Sequence, residues 1–221
     1  MRKSIIFIKK NYCTYDGKKY DFNEFRELSG LLTSNIKVVI LQEELFVSHF
    51  ENSVRRCKLC GFVDSKIRND FPQNGDILYD FEKKGNVISI YSIKGSKRVE
   101  KVVEKAINIE IKPIQFIIKD ALMKIVRDNN RNFKALIKYD TCYYYVSFRD
   151  RLYHDGFVSE NKHIVEEKLL KKGDLEGIYV DDNTVDIISD NNKSKPKKVN
   201  IGEFINENIY EKQRFHSRKI F

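Results

Sequence analysis

Phe133-Lys-Ala-Leu-Ile-Lys-Tyr139, then Asp140-Thr141, then Cys142-Tyr-Tyr-Tyr-Val-Ser-Phe148 is the stretch on which the fold turns. Two runs rich in β-branched and aromatic residues, joined by two polar ones, read as an antiparallel hairpin. Arg151 to Val158 follows as a third strand, Lys162 to Lys172 as a helix, and Glu176-Gly-Ile-Tyr-Val180 as another strand. The same order stands near the start of the chain. Ser4-Ile-Ile-Phe-Ile8 and Tyr12-Cys-Thr-Tyr15 are strands, Asp16-Gly17 is a turn, and Lys18 to Phe22 is a third strand. A helical stretch carrying Phe25, Leu28, Leu31 and Leu32 leads into the buried-strand run Ile36-Lys-Val-Val-Ile-Leu41. The copies share element order and spacing, not residues.

Between the copies lies an insertion with its own order. Leu45 to Phe50 reads as a strand, and Asp76 to Phe81 and Asn86 to Ile93 as two more around a hairpin turn at Lys83-Lys84-Gly85-Asn86. A helix capped by Ser53 places Val54, Cys57, Cys60, Gly61 and Phe62 on one face and stops before Pro72. A second helix starts near Ser96. Ile109 to Phe116 reads as a strand interrupted at Pro113, Ala121 to Val126 as a helix, and 127–131 as the lobe boundary. Past Val180 we expect a turn at Asp181 to Thr184 and a short strand at Val185 to Ile188. A polar loop over Ser189 to Lys198 and a last helix over Gly202 to Tyr210 follow.

Two hundred and twenty-one residues suffice for two small lobes. No apolar run approaches the roughly 20 residues of a membrane span, and Lys9-Lys10 cuts the first apolar run too short for a signal peptide. The four cysteines, without an export signal, are expected as reduced thiols. Cys13 and Cys142 fall in equivalent strands and read as small buried apolar residues. Of the net charge of +9, the segment from Lys193 onward supplies +5, so the body is nearly balanced. That distribution argues against a nucleic-acid partner.

The chemistry-bearing constellations are weak. Cys57-Lys-Leu-Cys60 has the spacing of a zinc knuckle but lacks a second pair, and structural zinc needs four ligands. His49, His154, His163 and His216 show no nucleophile or carboxylate at a recognisable spacing. A two-metal nuclease would need acids on the first strand, and Ser4 to Lys10 has none. Tyr12, Tyr15 and Tyr143 to Tyr145 could stack on bases, but strand propensity accounts for them. We therefore expect no catalytic residue, no metal ligand and no cofactor.

Three antiparallel strands, a crossover helix and a further strand make half of an actin-like, ribonuclease-H-like plan. The expected fold is thus α/β, a degenerate actin-like arrangement of two lobes, each a mixed sheet with helices. Residues 1–127 form the first lobe, with an inserted α+β subdomain at about 43–107, and 128–221 the second. Within that plan the chain resembles the cytoplasmic domain of the PilM/GspL class, assembly-platform proteins of type IV pilus and type II secretion machines. The resemblance rests on Asp70-Phe71-Pro72, Ile77 to Phe81, Lys97 to Lys105, Ile111-Lys-Pro-Ile114 and the hairpin Phe148 to Tyr153. It implies a non-enzymatic scaffold at the cytoplasmic face of the inner membrane, docking the assembly ATPase and sister platform proteins. It also implies that a membrane-spanning helix would follow the chain, making this a soluble piece of a bitopic protein. Lys193, Lys195, Lys197, Lys198, Arg214, Arg218 and Lys219 would then face anionic lipid.

Actin-like ATPases grip phosphate with an Asp-x-Gly turn between the first two strands of the copy. Here that turn is Lys9-Lys10-Asn11 in the first copy and Tyr139-Asp140-Thr141 in the second, neither with glycine. The expectation is a descendant that no longer binds nucleotide. A nucleotide-binding ATPase and a basic nucleic-acid-binding module are the alternatives.

Overall fold

The computed structural model describes residues 3–23, 25–51, 53–71, 75–126, 132–173, 175–189 and 196–210. Its first sheet begins with β1 (Ser4–Ile8), β2 (Tyr12–Tyr15) and β3 (Lys18–Asp21), successive antiparallel neighbours. The β2–β3 turn puts Asp16 and Gly17 at φ of 50° and 75°, the paired left-handed geometry that matches strand twist in a two-residue hairpin. Helix α1 (Phe25–Leu31) crosses over, and β4 (Asn35–Ile40) returns parallel to β1. Every residue of β4 is buried, Asn35 and Lys37 included, as befits a central strand.

The chain then builds a three-stranded antiparallel sheet from β5 (Leu45–Glu51), β6 (Ile77–Lys84) and β7 (Val87–Lys94), in the order β5-β7-β6. A 3₁₀ turn at Arg56–Lys58 leads into α2 (Leu59–Asp70). Val63 is buried against Ile88 and Ile90 with Leu59, Phe62 and Ile67 beside it, so α2 covers one face of this sheet. Ser53 is exposed and does not cap; Lys58 occupies the N-cap without a side-chain bond, and Cys57 and Cys60 are exposed. The expected cysteine face is therefore wrong. Leu59, Phe62, Val63 and Ile67 lie at the i, i+3, i+4, i+8 spacing of the true buried stripe.

Helix α3 (Ser96–Val103) returns to the first lobe, where Val99 and Val102 are buried. β8 (Asn108–Pro113) adds parallel to β4, and α4 (Ile114–Ile125) starts directly after it. The strand was expected to run to Phe116, but Pro113 sits at the N-cap with extended backbone. A proline there presets the approach to a helix rather than a bulge inside a strand.

The second sheet repeats the first. β9 (Phe133–Tyr139), β10 (Cys142–Arg149) and β11 (Leu152–Ser159) are antiparallel neighbours. Helix α5 (Lys162–Lys172) is capped by Asn161, whose side chain accepts from the His163 amide at 2.9 Å. β12 (Tyr179–Val180) then returns parallel to β9. Val185 to Ile188, expected as a strand, belongs instead to a short helix, α6 (Val185–Ser189). The buried hydroxyl of Thr184 bonds the Asp181 side chain and backbone, both at about 3 Å, and so turns the chain into helix. Lys197–Lys198, expected in a loop, form β13, parallel to β12. α7 (Gly202–Tyr210) closes the described chain.

The sheet orders are β3-β2-β1-β4-β8 and β11-β10-β9-β12-β13, the same topology twice. The helices that follow the fifth strands, α4 and α7, pack on each other between the sheets. One apolar core runs through this contact, including Ile117, Ala121, Ile205 and Ile209 with residues of both sheets. A smaller core of Tyr143, Tyr145, Phe157, Val165 and Leu169 lies on the outer face of the second sheet under α5. The expected boundary at 127–131 lies outside the described residues.

Candidate functional site

Doubling the topology brings the two first-hairpin turns face to face. Lys9, in the β1–β2 turn, extends its ammonium to Asp140 Oδ2 in the β9–β10 turn at 2.7 Å and to the Tyr12 hydroxyl at 3.1 Å. Only 7% of the Lys9 side chain is exposed, against 33% for Asp140. Burial alone would lower the Lys9 ammonium, but its bonds to Asp140 and Tyr12 outweigh that and raise it. Burial would likewise raise the Asp140 carboxyl, yet the Lys9 bond and charge and the Thr141 amide hold it below the usual range. Both partners are thus kept charged.

The residues after β4 complete the closure. Gln42 donates its backbone N–H to the Tyr144 hydroxyl at 3.0 Å, and its side-chain amide to Glu160 at 2.9 Å and Thr141 at 3.3 Å. The side-chain Oε1 of Gln42 accepts from the Lys10 amide at 3.2 Å. Gln42 adopts φ of 64°, which costs a side-chain-bearing residue about 1 kcal/mol or more and persists where surroundings impose it. Arg98 on α3 donates to the Lys9 backbone carbonyl at 2.8 Å and pairs with Glu43 at 2.7 Å. Both faces of the Lys9 turn are therefore fixed, one by the second lobe and one by α3. Glu44 adds a bond from Lys168 of α5 at 3.2 Å.

Further out, β5 of the inserted sheet lies against β11. The His49 and His154 rings stack there, 5.5 Å apart and 20° from parallel. Tyr153 of β11 packs edge-on against Tyr91 and Phe116 of the first lobe. At the opposite end Lys37, 1% exposed on β4, donates to the Asn208 carbonyl in the last turn of α7 at 2.8 Å. A cation on a helix C-terminus is favourable, and this one ties the last helix to the first lobe.

A hollow of about 250 Å³ in the cleft is lined by Lys10, Gln42, Glu43, Glu44, Phe46, Lys94 and Val158. That is below the usual range of about 300–1,000 Å³ for small-molecule sites. Among the described residues no three His, Cys, Asp or Glu side chains are placed to share a metal ion. No helix among them is long and apolar enough to cross a membrane.

Of the basic residues marked from the sequence, the described structure contains Lys197 and Lys198. Lys197 and Lys198 are exposed on β13, with the Lys197 ammonium 5.3 Å from the Tyr179 ring centre. Lys193, Lys195, Arg214, Arg218 and Lys219 lie outside the described residues. The cleft residues Lys9, Gln42, Asp140 and Tyr144 were not singled out as a set. The available signal was charge: equivalent turns carry Lys9 in one copy and Asp140 in the other.

No family model and no curated protein matches this chain in sequence. Its structure, however, is similar to a Bacteroides thetaiotaomicron protein with an actin-like ATPase fold and unknown function. The TM-score is 0.59 at 8% identity, covering 94% of each chain. The fold is actin-like. The actin-like chain is also similar to the PilM–PilN type IV pilus biogenesis complex, with a TM-score of 0.54 at 12% identity over 81% of this chain and 75% of that one. The cytoplasmic domain of EpsL, an inner membrane component of the Vibrio cholerae type II secretion system, aligns with a TM-score of 0.49 at 8% identity over 80% and 81%. At such identities the likeness is one of fold. Within it, the turns joined here by Lys9 and Asp140 are those between the first two strands of each copy, neither of which contains glycine.

Proposed function

We propose that this actin-like chain is a non-enzymatic docking scaffold of a type IV pilus or type II secretion assembly platform. It holds sister platform proteins and the assembly ATPase at the inner membrane's cytoplasmic face. The observation that carries this reading is the Lys9–Asp140 bridge. An Asp-x-Gly turn offers phosphate bare amides and a carboxylate for the metal. Here a lysine stem and its ion pair occupy the space between the turns, and the carboxylate is already engaged. The arrangement favours one fixed lobe geometry over the opening and closing that nucleotide turnover requires.

A rigid two-lobed body can bind by shape alone, through grooves and strand edges. Phe46, 53% exposed beside the cleft hollow, is an apolar anchor for such a contact. The fold shared with PilM, solved in complex with PilN, supports a platform partner of the same kind.

The test is capture by the full chain of the platform proteins and assembly ATPase encoded beside it, with Phe46→Asp and a Lys9→Met control. Retention of at least one by the native chain and by Lys9→Met is expected, with weaker retention by Phe46→Asp. No retention of any of them would overturn the proposal.

A further inference from the structure

The cysteine pair on the inserted subdomain has no part in the cleft. Cys57 lies in the 3₁₀ turn and Cys60 is the second residue of α2, and both are exposed free thiols. In 3₁₀ geometry residues three apart eclipse, and in α geometry they lie one turn apart. Either places the two Cα atoms about 5–6 Å from each other, inside the window of about 4.4–6.8 Å that a disulfide bridges. The thiols of Cys13 and Cys142 are different: both are buried, and burial pushes Cys13 up to about 11.

The surroundings of the exposed pair are mainly basic, with Asp64, one turn beyond Cys60 on α2, the nearest acid along that helix. Arg55, Arg56 and Lys58 are all exposed, and the first turn of α2 contains no acid. No side chain caps that helix start, so its amides add their partial positive charge. Such a field gathers small anions before reaction. The backbone beside it is accessible as well, since nothing lies within 4 Å of where a Gly61 side chain would begin.

We propose that Cys57 and Cys60 are a reversible redox site that closes to an intramolecular disulfide by exchange with a small anionic disulfide of the oxidised-glutathione type. One cysteine, as thiolate, attacks the small disulfide; a mixed disulfide forms and one small thiolate leaves. The second cysteine gives its proton to solvent and attacks the protein sulfur of that mixed disulfide, expelling the second small thiolate. The protein pair is oxidised by two electrons and loses two protons, and one small disulfide is reduced to two thiols. The product staples the 3₁₀ turn to the first turn of α2 on the face away from the small core of Val63, Ile88 and Ile90.

The experiment incubates the full chain with oxidised glutathione and, separately, with the cationic disulfide cystamine, and follows intact mass and alkylation of each cysteine. We expect a loss of two hydrogens mapped to Cys57 and Cys60, with Cys13 and Cys142 still reduced, and full reversal by reduced glutathione. Cys57→Ser and Cys60→Ser should each accumulate the mixed disulfide that the native chain resolves. At low salt the anionic reagent should react about tenfold faster than the cationic one, a preference lost in high salt. Arg55→Gln/Arg56→Gln should narrow it in the folded protein. Stable glutathione adducts on both cysteines of the native chain, disulfide-linked dimers alone, or faster reaction with cystamine would each overturn the proposal.

Discussion

Asp140→Ala should destabilise this protein more than Lys9→Met, although the two remove the same ion pair. The asymmetry follows from burial. Without Asp140, the Lys9 ammonium stays in a site where 7% of its side chain is exposed, and of the acceptors described above it keeps the Tyr12 hydroxyl. Stranding one partner of a fully buried pair costs about 3–5 kcal/mol, whereas exposed pairs contribute about 0–1 kcal/mol. With one end buried and the other one-third exposed, the cost for Asp140→Ala falls at about 2 kcal/mol, or roughly 4–8 °C in Tm at this chain length. In Lys9→Met the apolar stem is kept, and Asp140 can hydrate and retain its Thr141 bond, so the cost is about 0.5–1 kcal/mol. The double variant should recover about 1 kcal/mol relative to the sum of the singles.

Urea denaturation of the four proteins at neutral pH provides the cycle, and repeating it in acid checks the sign. Asp140 titrates below its unfolded value, so its contribution is full above about pH 4 and is lost as pH falls through the lower folded value. Lys9 titrates above its unfolded value, so its contribution persists to about pH 10 and is lost as pH rises through the folded value. Additive single variants, or a larger cost for Lys9→Met, would refute the reasoning.

Three further outcomes follow from contacts within and between the lobes. Burial and the nearby Arg149 lower both stacked imidazoles, with His154 adding to the effect on His49, while Asp155 and Lys172 act on His154 in opposite directions. Stability should therefore be full above about pH 6.5 and fall as pH drops through the lower folded values, and His154→Phe should flatten that slope in thermal melts. At Gly156 a side chain would begin 2.3 Å from the Tyr153 hydroxyl and 2.5 Å from the Tyr145 carbonyl. Gly156→Ala should cost about 1–3 kcal/mol in urea midpoints, because neither buried neighbour can yield. Lys37→Met should cost about 1–2 kcal/mol and speed amide exchange in α7 more than in β9, since it removes the cation on that helix end.

Much of the fold could be read from local pattern because each copy is built from short-range signals. Tyrosine-rich and isoleucine-rich alternation marks the hairpins, Asp16-Gly17 the turn, and the apolar run from Ile36 the central strand. The errors arose where local preference and tertiary demand diverge. Val185 to Ile188 carries strand-forming residues, yet the buried Thr184–Asp181 bonds turn it into helix. Pro113 reads equally as a strand bulge and as a helix start, and only the packing of α4 on α7 decides. Cys57 and Cys60 fit a helical period that is one residue out of phase with the buried stripe. The cleft was illegible for a different reason. Lys9 and Asp140 lie 131 positions apart, and nothing local in either turn names its partner.

Magnesium-ATP binding to the full chain tests the central claim most directly. A ligand present at 100 times its dissociation constant adds about 2.7 kcal/mol, or roughly 5–10 °C in Tm here. Because Lys9 fills the space between the turns and holds Asp140, millimolar magnesium-ATP should leave the melting temperature unchanged. A saturable rise of several degrees that follows ATP concentration, abolished by Asp140→Ala, would contradict the account.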